Sequence, residues 1–291
     1  MMSDILLIDN TRYEVLVTCP TKYYYRYVLG YSTPRPHISL VFGRAVHKGI
    51  ESWYRSGNKN LALSTTIESF NEVEYVADDK DPRDKKLAVE AVSGYIDKYN
   101  EDKMRTLETN GHKWLESTFC VPIGTVDNYQ ILYYGVFDRI ALLDGRPLVV
   151  DYKTTSVLGP SYFDQFKPNN QVSMYQYAAG ELLGTPVDMV CIDAIGITKS
   201  NIRFERRIIT YSRDQILESV KDILDTVRYE MIVYKESGVY PKRKVSCISK
   251  YGKCQFYDVC SRPHQVRSNF LDTYFIREDA DAKYKGYANS I

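Results

Sequence analysis

The dipeptide Asp144-Gly145, set inside YYGVFDRIALLDGRPLVVDYKTTS, constrains this chain more than any other feature. Asp-Gly between two apolar, strand-like runs is a strong signal for a two-residue hairpin turn. With the turn placed there, Asp138 falls opposite Asp151 as a non-hydrogen-bonded pair, at roughly 5 Å between Cβ atoms. Lys153 shares the face of Asp151, because side chains alternate along a strand. The remaining positions are mostly apolar (Ile140, Leu142 and Val149 on one side; Phe137, Leu148 and Val150 on the other). A central hairpin is therefore expected, and unpartnered carboxylates inside one are costly. Two facing aspartates also repel each other, whereas a divalent cation reverses the sign of that interaction. Carboxylate oxygens are the ligands that magnesium and manganese prefer. The competing reading is an exposed hairpin on which Lys153 merely neutralises the aspartates, an arrangement worth little.

The rest of the pattern is that of an α/β protein with no internal repeat. Thr18, before Cys19 and Pro20, reads as the N-cap of a helix that Gly30 ends. A second helix spans Phe42 to about Arg55, with Val46, Ile50 and Trp53 at helical spacing. An acidic loop containing Pro82 leads into a helix ending near Asn100. Strands are expected near Leu115–Ile123, Gln130–Leu142, Pro147–Lys153, Val187–Ile197 and Arg203–Tyr211, with a helix over Asn170–Leu183. Ser212 with Gln215 forms a capping-box signal for a helix running to Gly238. The expected organisation is one domain over residues 1–270: a helical part (1–110), a core (111–211) and a C-terminal helix with a cysteine segment (212–270). A charged tail over 271–291 follows, with little periodicity.

No run of 18 apolar residues is present and the N-terminus lacks a signal-peptide pattern, so a cytoplasmic protein is expected. Net charge is only +1, so an anionic partner has to be met by local basic clusters such as Lys242, Arg243 and Lys244. Six cysteines without a secretory signal point to packing or metal rather than disulfides. Cys120 and Cys191 lie in apolar strand-like runs and read as core residues. Cys247, Cys254 and Cys260 lie seven and six positions apart, with six and five residues between them; with Cys19 they make four thiols that suit an iron-sulfur cluster or a zinc ion.

Five motifs in order, TCPTKYYYRYVLG, FGRAVHKGIE, GVFDRI with VVDYKTTS, QVSMYQYA and CISKYGKCQFYDVC, resemble the PD-(D/E)XK nuclease superfamily. The resemblance runs from about Thr18 to Cys260. Within the superfamily it is to the RecB-like branch, which includes the CRISPR-associated iron-sulfur exonucleases and the AddB nuclease domain. It implies a restriction-endonuclease-like core: a mixed central sheet flanked by helices, with an N-terminal helical part and a C-terminal cysteine segment. Matched position by position, His47, Asp138 and Asp151 are the metal ligands and Lys153 lies beside the attacking water. Gln171 and Tyr175, four residues apart on one helical face, are the paired glutamine and tyrosine of the helix after the hairpin. Glu116 reads as a surface glutamate, the alternative being an assisting role from the neighbouring strand.

The resemblance further implies a magnesium- or manganese-dependent deoxyribonuclease that degrades DNA from an end and prefers single strands. Recombination, replication or CRISPR-type processing is the expected setting, with a helicase or recombination partner. The iron-sulfur relatives take one ligand from an N-terminal CP segment and three from the C-terminus, so Cys19, Cys247, Cys254 and Cys260 are expected to hold a [4Fe-4S] cluster, with zinc as the alternative. The first C-terminal gap is longer than the usual spacing. Of the 26 tyrosines, most are expected to pack and some to stack on unpaired bases. Two other readings stand beside this one: a structure-specific endonuclease, and a non-catalytic DNA-binding subunit of a helicase-nuclease assembly.

Overall fold

The computed structural model describes residues 4–78, 81–199, 201–249 and 252–279. Its main elements are β1 (Asp4–Ile8), α1 (Asn10–Thr18), α2 (Ile38–Ser56), α3 (Lys59–Asn71), α4 (Lys85–Lys98), β2 (Leu115–Val126), β3 (Tyr129–Leu143), β4 (Arg146–Thr155), α5 (Asn170–Leu183), β5 (Met189–Ile197), β6 (Ile202–Thr210), α6 (Arg213–Thr226) and α7 (Arg267–Tyr274). The described residues fall into two compact units. One draws on Met1–Pro34, Cys120–Gly135 and Val220–Ile291, the other on Arg35–Phe119 and Val136–Ser219.

The second unit is built on a mixed sheet. β3 and β4 pair antiparallel, β4 and β5 parallel, and β5 and β6 antiparallel. A parallel step needs a crossover, and α5 supplies it between β4 and β5. Asn169 caps α5 by accepting from Val172 N–H, and Gly184 ends it in the left-handed region. Helices α2, α3 and α4 close over the sheet in one apolar cluster that includes Val46, Ile50, Val92, Val150 and Ile195. Gly49 lets them approach: a Cβ there would collide with Thr66 Oγ1 and come within 2.9 Å of Val92. That close approach sets the height at which His47, two residues earlier on α2, stands over the sheet. The expected capping box is present, with Ser212 N–H donating to Gln215 Oε1 at 3.0 Å and Gln215 N–H to Ser212 Oγ at 3.3 Å.

In the first unit β1 runs parallel to Tyr129–Tyr133, and an aromatic core joins Tyr25, Tyr31, Phe256, Val259 and Leu271. Three expectations meet the structure here. Cys19, not Thr18, is the N-cap of the short helix Pro20–Tyr23, because Thr18 is the last residue of α1, a helix started by the Asp9 side chain. The segment after Phe270, expected to show little periodicity, continues α7, and Ile276–Arg277 pairs with Tyr31–Ser32. Leu271 and Phe275 carry that packing, too few apolar positions to register as a period; residues 280–291 lie outside the described residues. Cys191 is buried, its thiol pushed up to about 12 by burial. Cys120 is only half-buried, since the buried positions of β2 are its odd-numbered neighbours Phe119 and Val121. Among the described residues no helix is long and apolar enough to cross a membrane.

Candidate active site

Asp144 and Gly145 have φ of 50° and 79°, the two positive values that a hairpin turn of this kind requires. The β3–β4 register is the expected one from Leu143↔Arg146 to Arg139↔Val150. The ladder stops there, one step short of the aspartates. Asp138 Oδ2 instead accepts the Tyr152 N–H at 2.7 Å, so the carboxylate is fixed by backbone at the point where the strands part.

Around that carboxylate stand side chains from two other elements. His47 Nδ1, on α2, is 3.4 Å from Asp138 Oδ1. Glu116, on β2, has φ of 47°, a left-handed conformation rare for a residue with a long side chain. His47, Glu116 and Asp138 each offer a ligand atom within 4.8 Å of the others. Glu116 is thus no ordinary surface glutamate, and only its strand neighbourhood in sequence hinted at this. Lys48 Nζ stands 3.6 Å from its carboxylate.

Asp151 lies outside that group of three. Lys153 Nζ approaches its Oδ2 at 2.7 Å and its Oδ1 at 3.0 Å. Lys153 also donates to Gln171 Oε1 at 3.1 Å, Gln171 donates to Tyr175 Oη at 3.1 Å, and Tyr175 donates to the Val136 carbonyl at 3.0 Å. Sequence-matched Asp151, Lys153, Gln171 and Tyr175 therefore form one connected chain of polar contacts. Asp151 is 2% exposed, and its Oδ2, despite the nearby ammonium, has no aligned hydrogen-bond donor.

The electrostatics follow from burial. Burial opposes a charged His47 imidazole, yet the Asp138 carboxylate outweighs it and raises the His47 pKa. The same pairing holds Asp138 below the usual carboxylate range against its own burial. Burial raises Glu116, and the Asp138 charge adds to that. Burial also raises Asp151, with Lys153 offsetting only part of it. Two acids raised by burial, Glu116 and Asp151, beside the ionised Asp138 and one imidazole form a donor set that fits a divalent cation.

Residues 10–261 match the family described as the PD-(D/E)XK nuclease superfamily. The chain belongs to that superfamily. Among solved structures it is similar to a proposed exonuclease from Eubacterium rectale, at 14% identity over 88% of each chain with a TM-score of 0.53. It also matches LHK-Exo, solved with dAMP, at 10% identity over 69% of this chain and 96% of that one, TM-score 0.29. No curated protein sequence matches it.

Behind the hairpin of this superfamily member lies a buried ionic network that the sequence did not reveal. Arg139, the residue after Asp138, is 0% exposed and its guanidinium sits 3.3 Å from Asp102 Oδ2. Arg206 binds Asp193 at 2.8 Å and Asp102 at 2.9 Å, and Tyr95 Oη donates to Asp193 at 2.7 Å. Tyr152 stands edge-on to both His47 and Tyr95, with ring centroids 5.7 and 6.0 Å apart. Asp138 and Asp151, on β3 and β4, are thus each followed by a residue that packs on this network, Arg139 and Tyr152.

The cysteines of interest all belong to the other unit. Cys254 N–H donates to the Cys247 carbonyl at 2.9 Å. Burial raises the Cys260 thiol, with Cys19 and Cys254 adding to the effect and Lys242 opposing it. Among the described residues no three cysteines bring their sulfurs within 4.8 Å of one another. A cavity of about 390 Å³ is lined by Lys242, Lys244, Cys247, Tyr257 and Cys260. The expected basic cluster needs correction: Arg243 is turned onto Glu230, at 2.9 and 2.8 Å to its two oxygens, and also donates to the Val17 carbonyl. Lys242 donates to the Cys260 carbonyl at 3.3 Å. Arg243 has a structural partner that no local charge count reveals.

Proposed function

We propose that this chain is a divalent-metal-dependent deoxyribonuclease that removes nucleotides from DNA ends, preferring single strands. The observation that carries the reading is the convergence of His47, Glu116 and Asp138, next to a Lys153 held between Asp151 and Gln171. His47, Glu116 and Asp138, with the buried Oδ2 of Asp151, would hold the cation. When bound, the cation supplies Lewis acidity at a phosphoryl oxygen and lowers the pKa of bound water. Lys153, its ammonium fixed by two acceptors, orients the attacking water and favours its deprotonation. Gln171 and Tyr175 keep Lys153 in place and give the strand polar contacts that carry no sequence information. His47 favours manganese over magnesium, since imidazole is a softer ligand than carboxylate.

We further propose that Cys19, Cys247, Cys254 and Cys260 hold a [4Fe-4S] cluster, with Lys242 and Lys244 contacting DNA beside it. Four thiolates suit either a cluster or one zinc ion; the choice of cluster rests on the resemblance to relatives that bind one with a single N-terminal and three C-terminal cysteines. The deciding assay is digestion of end-labelled linear strands beside circular single-stranded DNA, with manganese and with chelator. Cleavage confined to linear strands and abolished by chelator is expected. Rapid cutting of the circle would make the enzyme an endonuclease, and cleavage in excess chelator would end the metal mechanism.

A further inference from the structure

Among the described residues two segments are π-helical, Tyr24–Val28 and Val227–Ile232, and both open onto one cavity of about 250 Å³. Wide helical turns of this kind are uncommon and recur at functional sites. Here the first contributes Tyr27 to the cavity wall and the second Met231, while Tyr23 and Tyr240 complete an aromatic surround. Two cations, Arg12 and Lys235, also line it, and no acidic residue is among those that do. The rings are braced: Tyr240 stacks on Tyr24 at 4.6 Å, and the Arg12 guanidinium lies over the Tyr27 ring at 4.8 Å. Burial pushes the Tyr27 phenol up to about 12, so the wall stays neutral beside an anion. Lys235 is exposed at the rim, its ammonium 4.6 Å from the Tyr129 ring centre.

This chemistry selects a flat, apolar ring that carries negative charge. Every base offers a π-face to aromatic side chains, and its phosphates answer to lysine and arginine. The volume admits one base and not a base pair. We propose that this cavity seats a single unpaired nucleobase of the DNA strand, stacked among Tyr23, Tyr27 and Tyr240 with Lys235 at its phosphate. The inference rests on the nuclease reading and deepens it, because a base can enter only from an unpaired strand or end.

The test measures anisotropy of the full chain, in chelator to stop hydrolysis, with labelled dT octamers and with octamers of the same length made of abasic sites. Wild type is expected to bind the thymine strand on the order of tenfold more tightly than the abasic one. Tyr27→Ala and Tyr240→Ala should erase most of that ratio and Tyr27→Phe should keep it. Lys235→Gln should weaken both strands alike and lower the salt slope by about one. Hydrolysis of thymidine 5′-(p-nitrophenyl phosphate) with manganese should stay at the wild-type rate in all four variants, which separates the base seat from the reacting centre. Should alanine unfold the chain, Tyr27→Leu and Tyr240→Leu carry the same readout. Folded tyrosine variants that keep the wild-type ratio overturn the proposal, as does equal competition by free dTMP and unlabelled octamer, which would make the occupant a free nucleotide. If wild type shows the ratio but hydrolyses nothing with any metal, the nuclease reading fails and the base seat stands.

Discussion

Glu116 offers a test in which conformation and charge pull in separable directions. Its φ of 47° is a conformation that costs an L-residue about 1–2 kcal/mol and glycine almost nothing. Glu116→Ala removes the carboxylate and keeps that strain, whereas Glu116→Gly removes both. At an ordinary strand position glycine is less stable than alanine by about 0.5–1 kcal/mol; here the order should reverse, with glycine ahead by about 1 kcal/mol. For a chain of this size that is roughly 2 °C in Tm. In chelator both variants should also gain over wild type, because partial burial and the neighbouring Asp138 charge raise the pKa of the half-buried Glu116 carboxyl. With saturating manganese the order changes again: wild type gains stability as the cation binds, and both variants gain less because a ligand is gone. Calorimetric melts of the three proteins, with chelator and with manganese, read all of this. An alanine variant at least as stable as the glycine variant would refute the conformational reasoning. A manganese-induced rise in Tm equal in all three proteins would remove Glu116 from the cation site.

Asp138→Ala, Asp151→Ala and Lys153→Ala should each lower cleavage of labelled DNA by several orders of magnitude while DNA binding persists; full activity in Lys153→Ala would sink the proposed centre. Arg206→Met leaves Asp193, 0% exposed, and Asp102 without their shared cation, and urea unfolding should show a loss of about 3–5 kcal/mol. Burial pushes the Asp102 carboxyl upward, but hydrogen bonds from Arg206 and Tyr54 outweigh it and leave the pKa lowered. Its stabilisation is therefore complete above the unfolded value of about 3.9 and is lost as pH falls through the folded pKa. Melts of Asp102→Asn against wild type should converge below that range and diverge above it. Protein purified without oxygen should be brown and contain iron and sulfide, and Cys254→Ala or Cys260→Ala should lose both and aggregate; colourless, iron-free, stable wild type would exclude the cluster.

Where a feature depends on neighbours within a few positions, residues alone were enough. The Asp144-Gly145 turn and the register it sets, the Asn170–Leu183 helix and the Ser212–Gln215 capping box all rest on backbone preferences and short periods, which act before any tertiary contact forms. The matched residues Asp151, Lys153, Gln171 and Tyr175 were legible through the family resemblance, and the packing of one helix on the hairpin brings them together. Tertiary structure decided what required partners remote in sequence. Glu116 joins the site because the fold sets β2 beside His47 and Lys48 of α2. Arg139 and Asp193, charged residues in strands, are tolerated in the interior because Asp102 and Arg206 reach them across the sheet. Arg243, one of three basic residues in a row, is claimed by Glu230 from a preceding helix. A sequence states which groups are charged; only the fold states which of them have lost water, and with it the freedom to remain unpaired.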